Sequence, residues 1–110
     1  MTEYIQVFTT VDSREGADFI AKAVVEKRLA ACVQITGTVT STYQWEGEIE
    51  TSDEWLLIMK TREDLYAELE KNLKAVHPYD VPEIIAVPVV AGNSSYLDWV
   101  AKETGLFFKK

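Results

Sequence analysis

At 110 residues the chain is long enough for one domain with a single core and too short for two that fold independently, so we predict one domain over residues 1–110. A hydrophobic fraction of 47% with 26% charged residues excludes a disordered chain. A formal charge of −7 and a pI near 4.6, without a run of Lys or Arg, argue against nucleic acid as a partner.

The N-terminal ten residues alternate like a strand and lack the basic and apolar regions of a secretory signal. The longest uncharged apolar run, residues 84–91, is far shorter than the roughly 20 residues that cross a bilayer. A single cysteine cannot form an intramolecular disulfide, which fits a reducing compartment. We therefore predict a cytoplasmic protein without a membrane span.

The first elements in the chain are a strand and a helix. Residues 4–9, "YIQVFT", alternate with the period of two that predicts a strand. The following "DSRE" predicts a helix start, with Asp12 as N-cap and Glu15 closing a capping box. Helical spacing of apolar residues continues to about Arg28.

Two long β-rich segments follow, residues 31–45 and the run ending in "EWLLIMK". The glycine in "WEGEIE" predicts a hairpin that turns at Glu46 and Gly47. In "WLLIMK" apolar residues are consecutive, with Trp55, Leu57 and Met59 on one side of the strand and Leu56 and Ile58 on the other. Both sides of this strand are therefore expected to be buried.

The second half of the chain repeats the helix and strand pattern. Thr61 and Asp64 in "TRED" predict a capping box, and the helix that it opens is expected to end at His77, before a proline. "PEIIAVPVV" predicts a fourth strand, at an edge because Pro88 cannot donate to a ladder. A last helix is capped by Ser94 or Ser95 and stopped by Gly105.

The resulting order is βαββαβ with a C-terminal helix, an α+β, ferredoxin-like arrangement in which both long helices cover one face of an antiparallel sheet. The doubly apolar strands require that the second face be covered as well. A short final helix cannot cover all of it, so we predict a homo-oligomer.

His77 is the chain's only histidine and its first candidate for chemistry. Imidazole is a common metal ligand and the usual acid or base near neutral pH. No HExxH motif accompanies it, and a histidine at a helix C-terminus also serves to bond the last carbonyls. Both roles, metal ligand and helix terminus, stay open at this point.

Cys32 at a strand start is a small buried hydrophobe or, if the fold brings His77 to it, part of a Cys–His pair. Glu46, Glu48 and Glu50 form a solvated hairpin tip or an oxygen-rich surface for hard cations. We favour the structural interpretation for each.

Five residues are candidates for lining a ligand cleft or completing a subunit interface, because they combine aromatic surface with a cation and a carboxylate. They are Tyr43, Trp45, Lys60, Tyr79 and Glu83. No phosphate loop and no paired nucleophile and base are visible in the sequence, so we predict no organic cofactor and no catalytic residues.

Several blocks, taken in order, resemble the CutA divalent-cation tolerance proteins. They are "VEKRLAACVQI", "STYQWEGEIE", "LIMKT", "HPYDVPEIIAVPV" and "YLDWV". The resemblance implies a ferredoxin-like protomer in a homotrimer similar to the PII signalling proteins. It also implies a role in tolerance to copper and other divalent metals, with no catalytic reaction. The alternative function is a PII-like regulatory module that binds a small ligand or a partner protein in clefts between subunits.

The resemblance also locates a departure. Metal-binding members of the enterobacterial type carry a cysteine on the first strand and a His-His pair before Pro-Tyr. Here Thr9 stands at about the cysteine position, and the pair is Val76-His77. Of that ligand set only His77 is present, which makes it the predicted metal residue.

Overall fold

The computed structural model describes residues 3–105. In chain order the elements are β1 (Tyr4–Val11), α1 (Arg14–Glu26), β2 (Cys32–Trp45), β3 (Glu48–Arg62), a 3-10 turn (Glu63–Leu65), α2 (Tyr66–Val76), β4 (Ile85–Pro88) and α3 (Ser94–Glu103). The sheet is antiparallel with strand order β2-β3-β1-β4. The predicted α+β class and the order of its elements are confirmed, and β4 lies at an edge as Pro88 indicated. This strand is shorter than the predicted run of residues 82–90.

β2 and β3 form a hairpin of unusual length that turns where the sequence placed it. Glu46 and Gly47 both have positive φ, 50° and 85°. Two consecutive positive φ values define the type I′ turn, whose twist matches that of the strands on either side. The register shifts between Thr36 and Val39, and beyond that irregularity the hairpin is mostly exposed. It accounts for the long dimension of the molecule, 48 Å against 27 and 23 Å.

α1 and α2 lie on one face of the sheet and bury its alternate side chains. Val7 on β1 and Leu57 and Met59 on β3 have no exposed surface, and Leu69 and Leu73 of α2 pack into the same core. Burying one such side chain contributes about 1.5–3 kcal/mol. This face therefore supplies most of the protomer's stability.

The second face of the sheet is apolar too, as the consecutive hydrophobic residues predicted. Phe8 on β1 and Leu56 and Ile58 on β3 lie half-buried there, and Ile85 on β4 is 51% exposed. Of the described elements, α3 packs over one end of this face, next to Lys60. Much of this apolar surface is therefore uncovered in a single protomer.

The predicted cap of α1 is wrong by one residue, and the predicted caps of α3, Ser94 or Ser95, are wrong by one or two. α1 begins after Ser13, whose Oγ accepts the Gly16 N–H at 3.0 Å, and not after Asp12. Glu15 then falls at the second helical position, where a capping box cannot close. In α3 the cap is Asn93, whose Oδ1 accepts the Ser95 N–H at 2.8 Å. In both places two neighbouring residues were able to cap, and the path of the preceding chain selected one.

Thr61 is not a helix cap. β3 continues to Arg62, so Thr61 lies inside the strand opposite Ile5 and is 1% exposed. Its hydroxyl donates to the Leu29 carbonyl at 2.7 Å, which ties β3 to the segment between α1 and β2. Pairing with β1 extends the strand past the predicted helix start, and α2 begins only at Tyr66.

α1 ends two residues before the predicted Arg28. The Arg28 N–H bonds the Val25 carbonyl at 3.0 Å, and the Leu29 N–H bonds the Val24 carbonyl at 2.9 Å. These two bonds form a Schellman motif, which needs a left-handed residue at the position of Arg28, where φ is 58°. Because this position is not a glycine, the end of α1 has no local signal in the sequence. α3, in contrast, ends as predicted, with Gly105 at φ 91° after Thr104.

Candidate functional site: the His77 corner

His77 directly follows α2, which ends there because the next residue is Pro78. The imidazole is 8% exposed and is bonded through both nitrogens. Nδ1 lies 3.1 Å from the Tyr79 backbone nitrogen and accepts its N–H. Nε2 therefore carries the proton, and it lies 3.0 Å from both the Thr10 carbonyl oxygen and the Thr9 hydroxyl oxygen. These bonds fix one neutral tautomer of the ring.

Burial lowers the pKa of His77 below its ordinary value of 6.5. The bond to the Thr10 carbonyl and the negative charges of Asp12 and Glu54 act in the opposite direction, but burial is the larger effect. The ring is thus neutral near pH 7, which agrees with an Nδ1 that accepts a hydrogen bond.

Tyr79 joins the corner to the long hairpin. Its hydroxyl donates to Glu54 Oε2 at 2.7 Å, and Glu54 is only 8% exposed. Burial raises the pKa of Tyr79 strongly, and its bond to Glu54 adds to the effect. The rings of His77 and Tyr79 lie 4.9 Å apart between centroids. The Tyr79 hydroxyl thus gives the buried Glu54 side chain a hydrogen-bond donor. Together with the bonds from His77 to Thr9 and Thr10, this bond links the end of α2 to β1 and β3. We name His77, Tyr79 and Glu54 the His77 corner.

The His77 corner offers an imidazole and a carboxylate, but no complete metal site within one protomer. Among residues 3–105, no three His, Cys, Asp or Glu side chains converge so that they could hold an ion. Thr9, which the resemblance places at about the position of a metal-binding cysteine, does lie against His77 Nε2, so these two positions meet in space. Thr9 has no exposed surface, so a substrate cannot reach its hydroxyl in this conformation.

Within one protomer, the other predicted cleft residues do not all come together. Tyr43 lies near enough to raise the pKa of Tyr79, but its hydroxyl pairs with Ser52 Oγ at 3.2 Å. Trp45 lies at the hairpin tip, 51% exposed, and Glu83 lies beyond α2, on the segment that leads to β4. Lys60 lies six residues along β3 from Glu54, about 20 Å away at strand spacing. Within one protomer, Tyr43 therefore lies near Tyr79, whereas Lys60 is far along β3 from the Glu54 end of the strand.

Sequence reasoning missed Glu54 and the Thr10 carbonyl. The sequence did contain a signal for Glu54. It lies on the same side of the strand as Leu56 and Ile58, the side predicted to be apolar. A carboxylate on such a side needs a partner, here Tyr79.

Cys32 is half-buried and unpaired with another cysteine, and Glu46, Glu48 and Glu50 are exposed at the hairpin tip.

None of the helices in residues 3–105 has the length and apolar character needed to cross a membrane. The fold and the corner define a class of small α+β proteins with one four-stranded antiparallel sheet, a projecting hairpin and a buried polar link at the end of the second long helix. Comparison with known proteins identifies the family.

The profile of the CutA1 divalent ion tolerance protein family matches residues 5–103. The divalent-cation tolerance protein CutA of Thermus thermophilus is 50% identical over 99 residues, which cover 90% of this chain and 96% of that one. A solved divalent cation tolerance protein from the same organism superimposes with a TM-score of 0.90 at 49% identity, covering 93% of this chain and 99% of that one. The chloroplastic protein CutA of Arabidopsis thaliana is 43% identical over 91% of this chain, which spans 55% of the plant protein.

The chain belongs to the CutA1 divalent ion tolerance family. The resemblance found in the sequence blocks is thereby confirmed, and the family is one named for divalent-cation tolerance.

Proposed function

We propose that this protein contributes to divalent-cation tolerance by binding a divalent metal ion, copper among them, at the His77 corner. The observation that carries the proposal is the meeting of an imidazole and a carboxylate, each 8% exposed, through one tyrosine. Glu54 uses Oε2 for Tyr79, and no group of the described chain bonds Oε1, which is therefore open to a ligand. The role is one of binding and not of catalysis.

Residues 3–105 bring no third ligating side chain to this site, and we propose that a second copy of the chain supplies the remaining ligands. Metal binding also competes with hydrogen bonds in the corner. An imidazole binds metal through a free lone pair, whereas Nδ1 accepts the Tyr79 N–H and Nε2 carries a proton. We therefore infer that ion binding displaces one of these bonds and weakens at low pH.

A Cu(II) titration of the purified oligomer tests the metal site. We expect His77→Ala to weaken the strongest binding event at least about tenfold, the range seen when the environment of a metal ligand is changed. The nitrogen hyperfine splitting of the bound Cu(II) in its electron paramagnetic resonance spectrum should disappear as well, since the chain has one histidine.

Two further variants provide controls for the Cu(II) titration. Glu54→Gln keeps the shape of the side chain and should also weaken binding. Asp80→Asn removes an exposed carboxylate from the loop that carries His77 and Tyr79, and should not weaken it. Equal, weak binding by the wild type and His77→Ala removes His77 from the proposal.

We propose that the protein assembles as a homotrimer. The second candidate function, which depends on this assembly, is that of a PII-like regulatory module. Large apolar side chains outside the core support self-association: Ile49 is 71% exposed, and Trp45 and Ile85 are each 51% exposed. The sheet also ends in two edges, β2 and β4, that have no further strand beside them among the described residues. Clefts between protomers would then be available to a small ligand or a partner protein.

Sedimentation equilibrium at micromolar concentration checks the assembly. We expect the mass of three chains for the wild type and a lower mass for Ile85→Lys, because a charge on the uncovered sheet face opposes its burial. Lys22→Met, on the exposed side of α1, serves as a control and should leave the mass unchanged. A wild-type monomer under these conditions contradicts the proposal.

We propose a cytoplasmic location, supported by the single free cysteine. Fractionation of the source cells checks it, and recovery with an organelle or the periplasm would contradict it.

A further inference from the structure

A cleft lies between α3 and the sheet face that α1 and α2 leave uncovered. It is some six residues along β3 from Glu54, and so about 20 Å from the His77 corner. Its volume is about 260 Å³, and its walls are mainly apolar, including Leu97 of α3. Arg62, at the end of β3, anchors the end of α3: its Nε donates to Thr104 Oγ1 at 2.9 Å, and an Nη donates to the Thr104 carbonyl at 3.2 Å. The cleft is thus formed within one protomer.

The polar side chains of this cleft are rich in donors and lack a carboxylate. Lys60 lies in the middle of the sheet, with Cys32 as its neighbour on β2 and Gln6 as its neighbour on β1. Tyr4 and Tyr96 line the same cleft. Burial raises the pKa of both tyrosines, so their hydroxyls stay protonated and able to donate.

Lys60 is half-buried, and its ammonium group has no hydrogen bond or ion pair with another residue of the described chain. Glu3 and Asp98 influence Tyr4 electrostatically, but neither forms an ion pair with Lys60. An ammonium group beside apolar walls is costly unless a counter-charge reaches it. The cleft therefore has the chemistry of a small site for an anion.

We propose that this cleft binds a small organic carboxylate with an apolar or aromatic body. The carboxylate pairs with the Lys60 ammonium and accepts from the tyrosine hydroxyls or the Gln6 amide. The apolar body packs against Leu97 and the neighbouring aliphatic walls. Gly92 keeps this space open, since a Cβ at that position would lie 3.2 Å from Leu97 Cδ1. The site is separate from the proposed metal corner and does not depend on it.

Three probes of nearly equal shape test the charge requirement in the assembled protein: benzoate, neutral benzamide and cationic benzamidine. We expect benzoate to bind at least about tenfold more tightly than benzamide, the effect of one hydrogen bond to a charged group. Benzamidine should not bind. Amide resonances of Gly92 and Leu97 should shift with benzoate, which locates the probe in the cleft.

Three variants test whether benzoate binds in this cleft and not at another surface of the protein. Lys60→Met keeps the length of the side chain and should reduce benzoate binding about tenfold, to the level of benzamide. Gly92→Ala leaves the charge in place but narrows the cleft, and should weaken both probes. Lys22→Met, which removes an exposed lysine of α1, should change neither.

Three results would overturn the proposal: equal benzoate affinity in the wild type and Lys60→Met, equal affinity for benzoate and benzamide, or no benzoate binding up to about 10 mM. Copper binding measured on the same variants keeps the two sites distinguishable. Lys60→Met leaves the His77 corner intact and should bind Cu(II) as the wild type does, and failure of the metal site leaves the benzoate result standing.

Discussion

Replacing Thr61 with valine is expected to lower the free energy of unfolding by about 1–3 kcal/mol, the cost of leaving a buried polar group without its partner. Valine has nearly the shape of threonine but cannot donate to the Leu29 carbonyl, which Thr61 meets at 2.7 Å. Thr61 is 1% exposed and Leu29 is 6% exposed, so water cannot readily replace the lost hydrogen bond. Urea denaturation at fixed protein concentration measures the loss.

Thr61→Ser is the matched control for that experiment. Serine keeps the hydroxyl and loses one methyl group, so its cost should stay near the roughly 0.8 kcal/mol of a buried methylene. A valine variant as stable as the wild type would contradict the importance of the bond. A serine variant less stable than the valine variant would point to packing instead.

Stability is expected to fall as the pH drops below about 6.5 because of His77, by at most about 1.4 kcal/mol per pH unit. Burial lowers the pKa of His77 in the folded state below the 6.5 of an unfolded chain. Between these two pKa values the unfolded state binds more protons, so falling pH favours unfolding. The contribution is fully present above pH 6.5 and is lost as pH falls through the folded pKa. Protonation of Nδ1 also removes the acceptor of the Tyr79 N–H.

His77→Gln isolates this contribution, because His77 is the only histidine and glutamine does not titrate. All other ionisable groups are the same in both proteins, so much of their effect cancels in the difference. The unfolding free energy of the wild type minus that of His77→Gln should be constant above about pH 7 and decrease below about pH 6.5. A constant difference over the whole range, or an increase at low pH, would show that the folded pKa is not lowered.

The fold was largely predictable because its elements have strong and distinct hydrophobic periods. The alternation in residues 4–9 identified β1, and the helical spacing of apolar residues after "DSRE" identified α1. Gly47 located the hairpin turn, since a glycine accepts positive φ at little cost. Pro78 located the end of α2 by steric exclusion. Each of these signals is local, so a single sequence carries it.

The errors concern residues with two competing local roles. Asp12 and Ser13 are both good caps, as are Asn93 and Ser94, and the geometry of the chain entering the helix decided between them. Thr61 fits a capping box by pattern, yet pairing with β1 draws it into β3. Strand pairing joins residues distant in sequence, and no local pattern records how far it extends.

The sequence by itself determined the order of the elements, the hairpin turn, the family and the place of His77 at the end of α2, because periodicity, glycine, proline and residue type act locally along the chain. Only the tertiary structure decided what His77 and Lys60 contact. The Thr10 carbonyl lies 67 residues from His77 in the chain, and Glu54 is 25 residues from Tyr79. Such contacts depend on strand register and helix docking, which fix the distances and burial that set the pKa of a ring or leave an ammonium group without a partner.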